Sequence, residues 1–197
     1  MKGKGLSYGI IAIIVLAAIV GWAISIYNNM VTQEETVKTA WGQVENVYQR
    51  RADLIPNLVN TVKGYAEHEK STLENVVNAR AKATQTTIDP TNMTEADIQK
   101  FQAAQGELSG ALSRLLVTVE QYPDLKANEN FLTLQSQLEG AENRIATERN
   151  RFNETAKVYN TYIRRFPQSL FAGLFGFAAK PYFAAEEGAE RAPEVQF

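Results

Sequence analysis

The side chains that most often carry enzyme chemistry are almost absent from this chain. Among 197 residues there is one histidine and no cysteine. His68 begins the stretch His68-Glu69-Lys70-Ser71-Thr72, which lacks the second histidine of a zinc-protease helix. Transition-metal sites and Cys–His or Ser–His–Asp catalysis therefore have little material, and His68 is best interpreted as a helical surface residue.

Other signatures of catalysis are missing as well. No glycine pattern of a phosphate-binding or dinucleotide-binding loop occurs. Carboxylate pairs lie on predicted helix faces, but any acidic helical protein has them. The sequence therefore predicts a chain that is not an enzyme, with no catalytic, cofactor-binding or metal-ligating residue.

The charge of the chain excludes some partners. The net charge is −2, and it is −4 for the remainder once Lys2 and Lys4 are set aside. Like charges occur in runs of two residues at most. Because nucleic-acid binding needs a basic surface, we expect no nucleic acid among the partners.

The stretch from Ile10 to Tyr27 predicts a membrane anchor. It has eighteen residues without a charge, and a helix of about that length crosses the roughly 30 Å hydrocarbon core of a bilayer. We therefore predict an N-terminal tail and transmembrane anchor over residues 1–27, with the lipid bilayer as a partner. A cleavable signal peptide is the alternative, although only Ala23-Ile24-Ser25 resembles a cleavage site.

The flanking charges predict the orientation. Lys2 and Lys4 precede the anchor, whereas Lys38 is the first basic residue after it. Basic residues near a membrane segment favour the cytoplasmic side. We therefore predict a single-pass protein of the plasma membrane with a cytoplasmic N-terminus and an extracytoplasmic domain.

Beyond the anchor, apolar residues recur with helical spacing. Turns at Pro90 and Pro123 separate long segments, and the pattern predicts four helices at about 28–51, 53–84, 94–121 and 128–166. Asp53 would cap the second helix, with Pro56 in its first turn. One continuous helix kinked at Pro56 is the alternative.

The fourth segment carries a strict seven-residue repeat. The repeating positions are Phe131, Leu138, Ile145, Phe152, Tyr159 and Phe166. So long a helix needs equally long partners, and short turns make neighbours antiparallel. The fold class is therefore predicted as all-α, with the transmembrane helix followed by an elongated antiparallel four-helix bundle over residues 28–166. Glu148 interrupts the apolar stripe and would pair with an arginine or lie at the edge of the stripe.

A Phe-rich amphipathic segment follows at residues 167–185. Leu170, Phe171, Leu174 and Phe175 fall on one helical face, and the up-and-down helix order returns this segment to the bilayer. The sequence therefore predicts membrane or partner contact by these four residues. The alternative is that the segment caps the open end of the bundle. Residues 186–197 are predicted to be a flexible tail.

Several short motifs resemble the LemA family. They are Ala40 to Val44, Gln49 to Val59, Thr61 to Ala66, Ala79 to Ala81, Arg151 to Glu154, Tyr159 to Thr161, Phe166-Pro167, Gly176-Phe177 and Tyr182-Phe183. The resemblance implies a bacterial membrane protein with a helical-bundle domain, similar to a magnetosome membrane protein of some bacteria. It implies no catalytic role for the motif residues.

Two functions compete on these observations. The first is a non-enzymatic, membrane-anchored scaffold or interaction protein of the bacterial envelope, self-associating into a homo-oligomer or holding an envelope protein partner. The second is an accessory subunit of a membrane protease or envelope stress system. A hydrolase using carboxylates is a third and weaker hypothesis, and no cofactor is expected.

Overall fold

The computed structural model describes residues 3–66 and 68–184, which form six helices and no strand. The all-α prediction is thereby confirmed. The predicted flexible tail at 186–197 lies outside the described residues. The helices are α1 (Gly3–Lys63), α2 (Lys70–Gln85), α3 (Glu95–Val119), α4 (Pro123–Lys126), α5 (Glu129–Arg164) and α6 (Gln168–Phe175).

The first helix passes through Pro56 without ending. α1 has 61 residues and includes Pro56, so the predicted boundary between helices 28–51 and 53–84 is wrong and the helix is continuous there; the kink of the alternative stays a prediction. Proline removes one helical hydrogen bond, but buried residues on both sides of it, among them Ala52 and Leu58, lie on one packed face. Packing of that face outweighs the lost bond. α1 ends instead at Lys63, where the backbone N–H groups of Tyr65 and Ala66 both donate to the carbonyl of Val62.

The chain divides into two compact units. One comprises residues 1–39 and 154–180, and the other comprises residues 40–153 and 181–197. In the second unit α1 and α5 are antiparallel, because Trp41 contacts Phe152 whereas Arg51 contacts Glu142. α2 and α3 are also antiparallel. The Tyr122 hydroxyl after the end of α3 donates to Glu69 before the start of α2, whereas Gln105 in α3 donates to the carbonyl of Ala83 near the end of α2. The elongated four-helix bundle remains a prediction for the chain as a whole.

The predicted start of the third helix is confirmed in detail. The Asp97 backbone N–H donates to Thr94 Oγ1 at 3.2 Å, and the Thr94 N–H donates to Asp97 Oδ2 at 3.0 Å. This reciprocal pair is a capping box, which satisfies helix donors that have no intrahelical partner. The hydrogen bonds from the Thr94 side chain and backbone hold the pKa of Asp97 below its usual value.

The seven-residue repeat of α5 is buried over most of its length. Its members from Phe131 to Tyr159 are all buried, but Phe166 is 81% exposed. Its prediction as a core residue is wrong because α5 ends at Arg164, before the repeat reaches that position. Glu148 is largely buried and lies 3.9 Å from the Arg151 guanidinium.

Two large apolar residues of the predicted helix at 53–84 lie outside the core. Tyr65 and Val77 each expose about half of their surface. Tyr65 falls in the turn after α1 rather than inside a helix, so the helical spacing that included it does not continue through that point.

Candidate membrane interface

The N-terminal part of α1 presents an uncovered apolar surface. Its large apolar side chains from Ile10 to Ile24 expose between 49% and 68% of their area. Within the described chain, this is the one helix that is long and apolar enough to cross a membrane by length and composition. Burial begins further along α1 at Ile26 and Met30.

Helix α6 packs beside the end of this apolar surface through aromatic rings. Trp22 contacts Phe171 edge-on at 6.1 Å between ring centroids, and Tyr27 contacts Phe175 at 5.1 Å. Such pairs contribute about 0.5–1.5 kcal/mol beyond simple area burial. The earlier residue on α1 contacts the earlier residue on α6, and the later contacts the later. The two helices are therefore parallel here, and the N-terminal end of α6 lies near Trp22.

The four residues that the sequence singled out therefore lie on one short helix, with two different environments. Phe171 and Phe175 contact the α1 aromatics, although half of Phe175 is still exposed. Leu170 and Leu174 are mostly exposed, Leu174 by 76%. α6 ends at Phe175 and is capped by Gly176, whose φ of 78° is the left-handed conformation that glycine adopts readily. The Phe177 N–H then donates to the Ala172 carbonyl at 3.0 Å, which closes the helix.

Residues 177–184, which we call the strap, are held after α6 by side-chain amides. Asn160 Nδ2 donates to the Lys180 carbonyl, and the Lys180 N–H donates back to Asn160 Oδ1, both at 2.8 Å. Lys180 is only 4% exposed, and its ammonium lies 2.8 Å from a Glu34 carboxylate oxygen. The buried charge is therefore paired, as a stable interior requires.

A buried tyrosine lies beside that ion pair. The Tyr159 hydroxyl donates to the Ala178 carbonyl at 3.0 Å, and the Lys180 ammonium lies 6.0 Å from the centre of the Tyr159 ring. Burial, followed by the negative charge of Glu34, raises the pKa of Tyr159 above its usual value. Both causes disfavour the phenolate.

The second half of the strap repeats the amide arrangement. Asn153 Oδ1 accepts from the Phe183 N–H at 2.8 Å and its Nδ2 donates to the Phe183 carbonyl at 3.0 Å. Gln102 makes the same two bonds with Ala184 at 3.4 and 3.2 Å. Phe183 is buried and its ring contacts Trp41, Phe101 and Phe152.

A buried arginine joins α1 to α3 and α5. The Arg51 guanidinium, 1% exposed, donates to Glu142 Oε1 at 2.7 Å, Ser109 Oγ at 2.8 Å and Gln105 Oε1 at 2.6 Å. The planar guanidinium suits a site where three acceptors converge. These hydrogen bonds connect the three helices in the interior.

The sequence patterns did not indicate the residues that hold the strap and the buried interior in place. Arg51, Asn153, Asn160 and Lys180 had no assigned role. One signal was available: Asn153 and Asn160 are seven residues apart and each directly follows a member of the buried repeat. A polar residue at such a position has to find a partner, but the partner is a backbone about 20 to 30 residues further along the chain.

The described residues contain no group of three or more His, Cys, Asp or Glu side chains able to hold a metal ion. His68 is exposed. The site is therefore an apolar surface with an aromatic border, and it lies on the one candidate membrane helix found among the described residues.

The chain belongs to the LemA family, whose model matches residues 40–197. It is 28% identical to the magnetosome proteins MamQ 1 and MamQ 2 of Paramagnetospirillum magneticum, covering 92% of this chain and 74% of theirs. It is 28% identical to the magnetosome protein MamQ of Magnetospirillum gryphiswaldense, covering 88% of this chain and 70% of the relative. The protein LemA of Metamycoplasma hominis is 27% identical over 71% of this chain and 60% of its own length.

Proposed function

We propose that the chain is a non-enzymatic, membrane-anchored scaffold or interaction protein of the bacterial envelope. The observation that carries the proposal is the exposed apolar surface from Ile10 to Ile24, bordered by the ring contacts between Trp22 and Phe171 and between Tyr27 and Phe175. Contiguous apolar surface of this size is rare on soluble proteins and marks contact with a membrane or another protein.

Residues 1–27 act as an uncleaved anchor in this proposal. α1 continues from the apolar stretch into its later turns without a break. Cleavage near Ser25 would remove Trp22 and its contact with Phe171. A segment that packs against a later part of its own chain favours retention over removal.

Helix α6 forms a second contact with the bilayer. Tyr and Trp rings are enriched at the membrane–water boundary, and Trp22 and Tyr27 would mark that level on α1. Leu170, Phe171, Leu174 and Phe175 would then enter the interface beside the anchor. Burying each exposed side chain contributes up to about 1.5–3 kcal/mol.

The rest of the protein would lie outside the membrane, with the N-terminus in the cytoplasm as the flanking charges favour. Residues 28–166 form the helical domain, residues 167–185 the Phe-rich segment and residues 186–197 the tail. The domain self-associates or holds an envelope partner. The relatives named as magnetosome proteins support a role in organising a membrane structure.

The alternative is an accessory subunit of a membrane protease or envelope stress system. It shares the anchor and the absence of an assembled catalytic site in the described chain, but it requires one dedicated client. The two functions differ in what the domain touches in the membrane.

Photo-crosslinking in intact membranes distinguishes them. A photoreactive amino acid is placed at exposed Val117 on α3 and at exposed Leu174 on α6, with buried Leu115 as the matched control. A ladder of products at multiples of the chain mass from position 117 supports the scaffold. One stoichiometric product of a different mass supports the accessory subunit, and no protein product from either exposed position contradicts both.

A further inference from the structure

A groove of about 490 Å³ is lined by α1 and α5 in the unit formed by residues 1–39 and 154–180. Gln33 forms its α1 side. The α5 side is one helical face together with the residue that follows the helix: Glu154, Lys157, Val158, Thr161, Tyr162 and Arg165. The groove therefore combines two cations and one carboxylate with several neutral hydrogen-bond donors.

The groove is locally basic on a chain whose net charge is negative. Lys157 and Arg165 are exposed, and within the described chain neither side chain has a hydrogen-bond or ion-pair partner. Glu154 is the one carboxylate among the described lining residues. The nearby Glu34 is already paired with the Lys180 ammonium at 2.8 Å. The lining therefore carries a net positive charge, which suits an anion.

The two cations flank the middle of the groove. Lys157 and Arg165 are each four residues from Thr161, so they lie about one helical turn to either side of it on the same face. Their long side chains can therefore converge on one anionic group beside Thr161.

The groove begins at the level of the aromatic contacts. Arg165 lies three residues before the start of α6, and Phe171 of α6 contacts Trp22. Gln33 lies six residues beyond Tyr27 on α1, which is about 9 Å further along the helix. The headgroup region of a bilayer extends about 5–8 Å beyond the hydrocarbon core on each side. If the aromatic rings mark the membrane boundary, the groove lies where lipid phosphates are found.

We propose that this groove binds the phosphate of an anionic phospholipid, in the leaflet that faces the helical domain. The inference rests on the proposed membrane anchor, because only an anchored chain holds the groove among headgroups. Arg165 and Lys157 bind the phosphate oxygens through charge-assisted hydrogen bonds. Gln33, Thr161 and Tyr162 supply neutral N–H and O–H donors, which phosphate oxygens also accept.

A lipid is favoured over a soluble phosphate or an acidic peptide. The bilayer keeps its headgroups beside the groove, so their effective concentration is high without any further contact. The apolar stretch of α1 already supplies the attachment to the membrane. The groove therefore selects which lipid lies beside the anchor, and it does not attach the protein.

Native mass spectrometry of the full-length protein in detergent tests the selection. The protein is titrated with phosphatidylglycerol or with phosphatidylcholine, and the mass of each complex counts the bound lipids. One basic residue near an anionic bilayer strengthens attraction by about fivefold. Since the lining has one cation in excess, we expect the first phosphatidylglycerol to bind about fivefold more tightly than the first phosphatidylcholine. Glycerol phosphate at the same concentration as the lipid should leave this ratio unchanged.

Two neighbouring arginines give a matched pair of variants. Arg165→Gln should lower the ratio to about one, whereas Arg164→Gln removes the same charge at the same end of α5, outside the groove, and should leave the ratio unchanged. Glu154→Gln removes the carboxylate of the lining and should raise the ratio, which damage to the fold would not do.

The outcomes separate this site from the anchor. A ratio near one for the natural protein, or equal effects of Arg164→Gln and Arg165→Gln, would overturn the proposal. Displacement of the lipid by equimolar glycerol phosphate would assign the groove to a soluble phosphate instead. Resistance of the natural protein to carbonate extraction is measured in parallel and does not depend on the groove. Loss of that resistance would contradict the anchor, and with it the lipid site.

Discussion

At the scale of single residues, the side-chain amides of Asn153 and Asn160 make the backbone hydrogen bonds of the strap that a neighbouring strand would make in a sheet. A primary amide donates and accepts at once, so Asn153 and Asn160 each satisfy both the N–H and the carbonyl of one strap residue. Buried backbone groups in an extended segment would otherwise be unpaired, which costs free energy. The amides therefore decide where the strap can lie.

Replacing Asn160 should loosen the strap. Asn160→Ala removes the two hydrogen bonds that its amide makes to the N–H and carbonyl of buried Lys180, and each such bond lost from a buried group costs about 1–3 kcal/mol. We expect the free energy of unfolding in detergent to fall by about 2–5 kcal/mol, measured by urea titration. Asn143→Ala, at an exposed position of the same helix, is the control and should change it by less than about 0.5 kcal/mol. Equal effects of the two changes would contradict a fastening role.

Tyr159 should make stability sensitive to high pH. Its pKa is raised in the folded protein by burial and by Glu34, so the unfolded chain loses this proton first as the pH increases. The contribution of Tyr159 is complete below pH of about 10 and declines above it. Tyr159→Phe should cost about 1 kcal/mol at pH 7 through the lost hydrogen bond, and urea titrations should show that deficit shrinking between pH 10 and 11.5. A deficit that is constant with pH would contradict this assignment.

At the scale of elements, α1 and α5 show how tertiary packing sets helix length. α1 passes through Pro56 because buried residues on either side, such as Ile55 and Leu58, need the same face. α5 keeps its seven-residue repeat buried from Phe131 to Tyr159 and ends before Phe166. A helix-breaking residue such as proline therefore ends a helix only where tertiary packing does not favour its continuation.

The α5 repeat should dominate stability. Phe152 is fully buried and its ring contacts Trp41 and Phe183. Phe152→Ala should therefore lower the free energy of unfolding by about 3–5 kcal/mol, from lost burial and the cavity that remains. Val158→Ala, on the exposed side of the same helix, is the control and should have little effect in the same urea titration. An unchanged unfolding midpoint for Phe152→Ala would place Phe152 outside the core.

Helix α6 should touch lipid. Leu174 and Val117 are both exposed, and the natural chain has no cysteine. Leu174→Cys, and Val117→Cys as the control, therefore each give a protein with one site for a fluorophore. In full-length protein reconstituted into liposomes, spin-labelled lipid should quench a fluorophore at 174 and leave one at 117 bright. If position 174 stays unquenched, α6 caps the helical domain or meets a protein instead.

At the scale of the whole molecule, most of the apolar stretch of α1 is left uncovered by the other described residues. Such a surface is stable in lipid and costly in water. Without Lys2 and Lys4, the net charge of the chain is small and negative. We therefore expect the protein to be held in the membrane by burial of apolar side chains rather than by attraction to anionic lipid.

The anchor should be permanent. Full-length protein should stay in membranes washed with alkaline carbonate, and mass spectrometry should find residues 1–27 intact. A variant that lacks residues 1–27 should lose this resistance to extraction and keep its helical circular dichroism, which serves as the control for folding. Mature protein beginning near Ser25 would instead identify a cleaved signal peptide.

The sequence alone determined the helical class, the anchor candidate, the start of the third predicted helix near residue 94 and most of the buried α5 repeat. These features depend on local chemistry and on a spacing of 3.5 to 3.6 residues, and both can be recognised from residues that are close in the sequence. The sequence also placed Leu170, Phe171, Leu174 and Phe175 together, because one helical turn brings them to one face.

Only the tertiary structure decided that α1 continues through Pro56, that Phe166 lies outside the core and that Asn153, Asn160 and Lys180 fasten the strap. Each of these outcomes depends on partners far away in the chain. Arg51 gives the clearest case: its acceptor Glu142 is 91 residues distant. From the sequence alone, a charged side chain on a helix is expected to be exposed to water. Arg51 is instead buried, and its charge is tolerated there because three side-chain acceptors bind it.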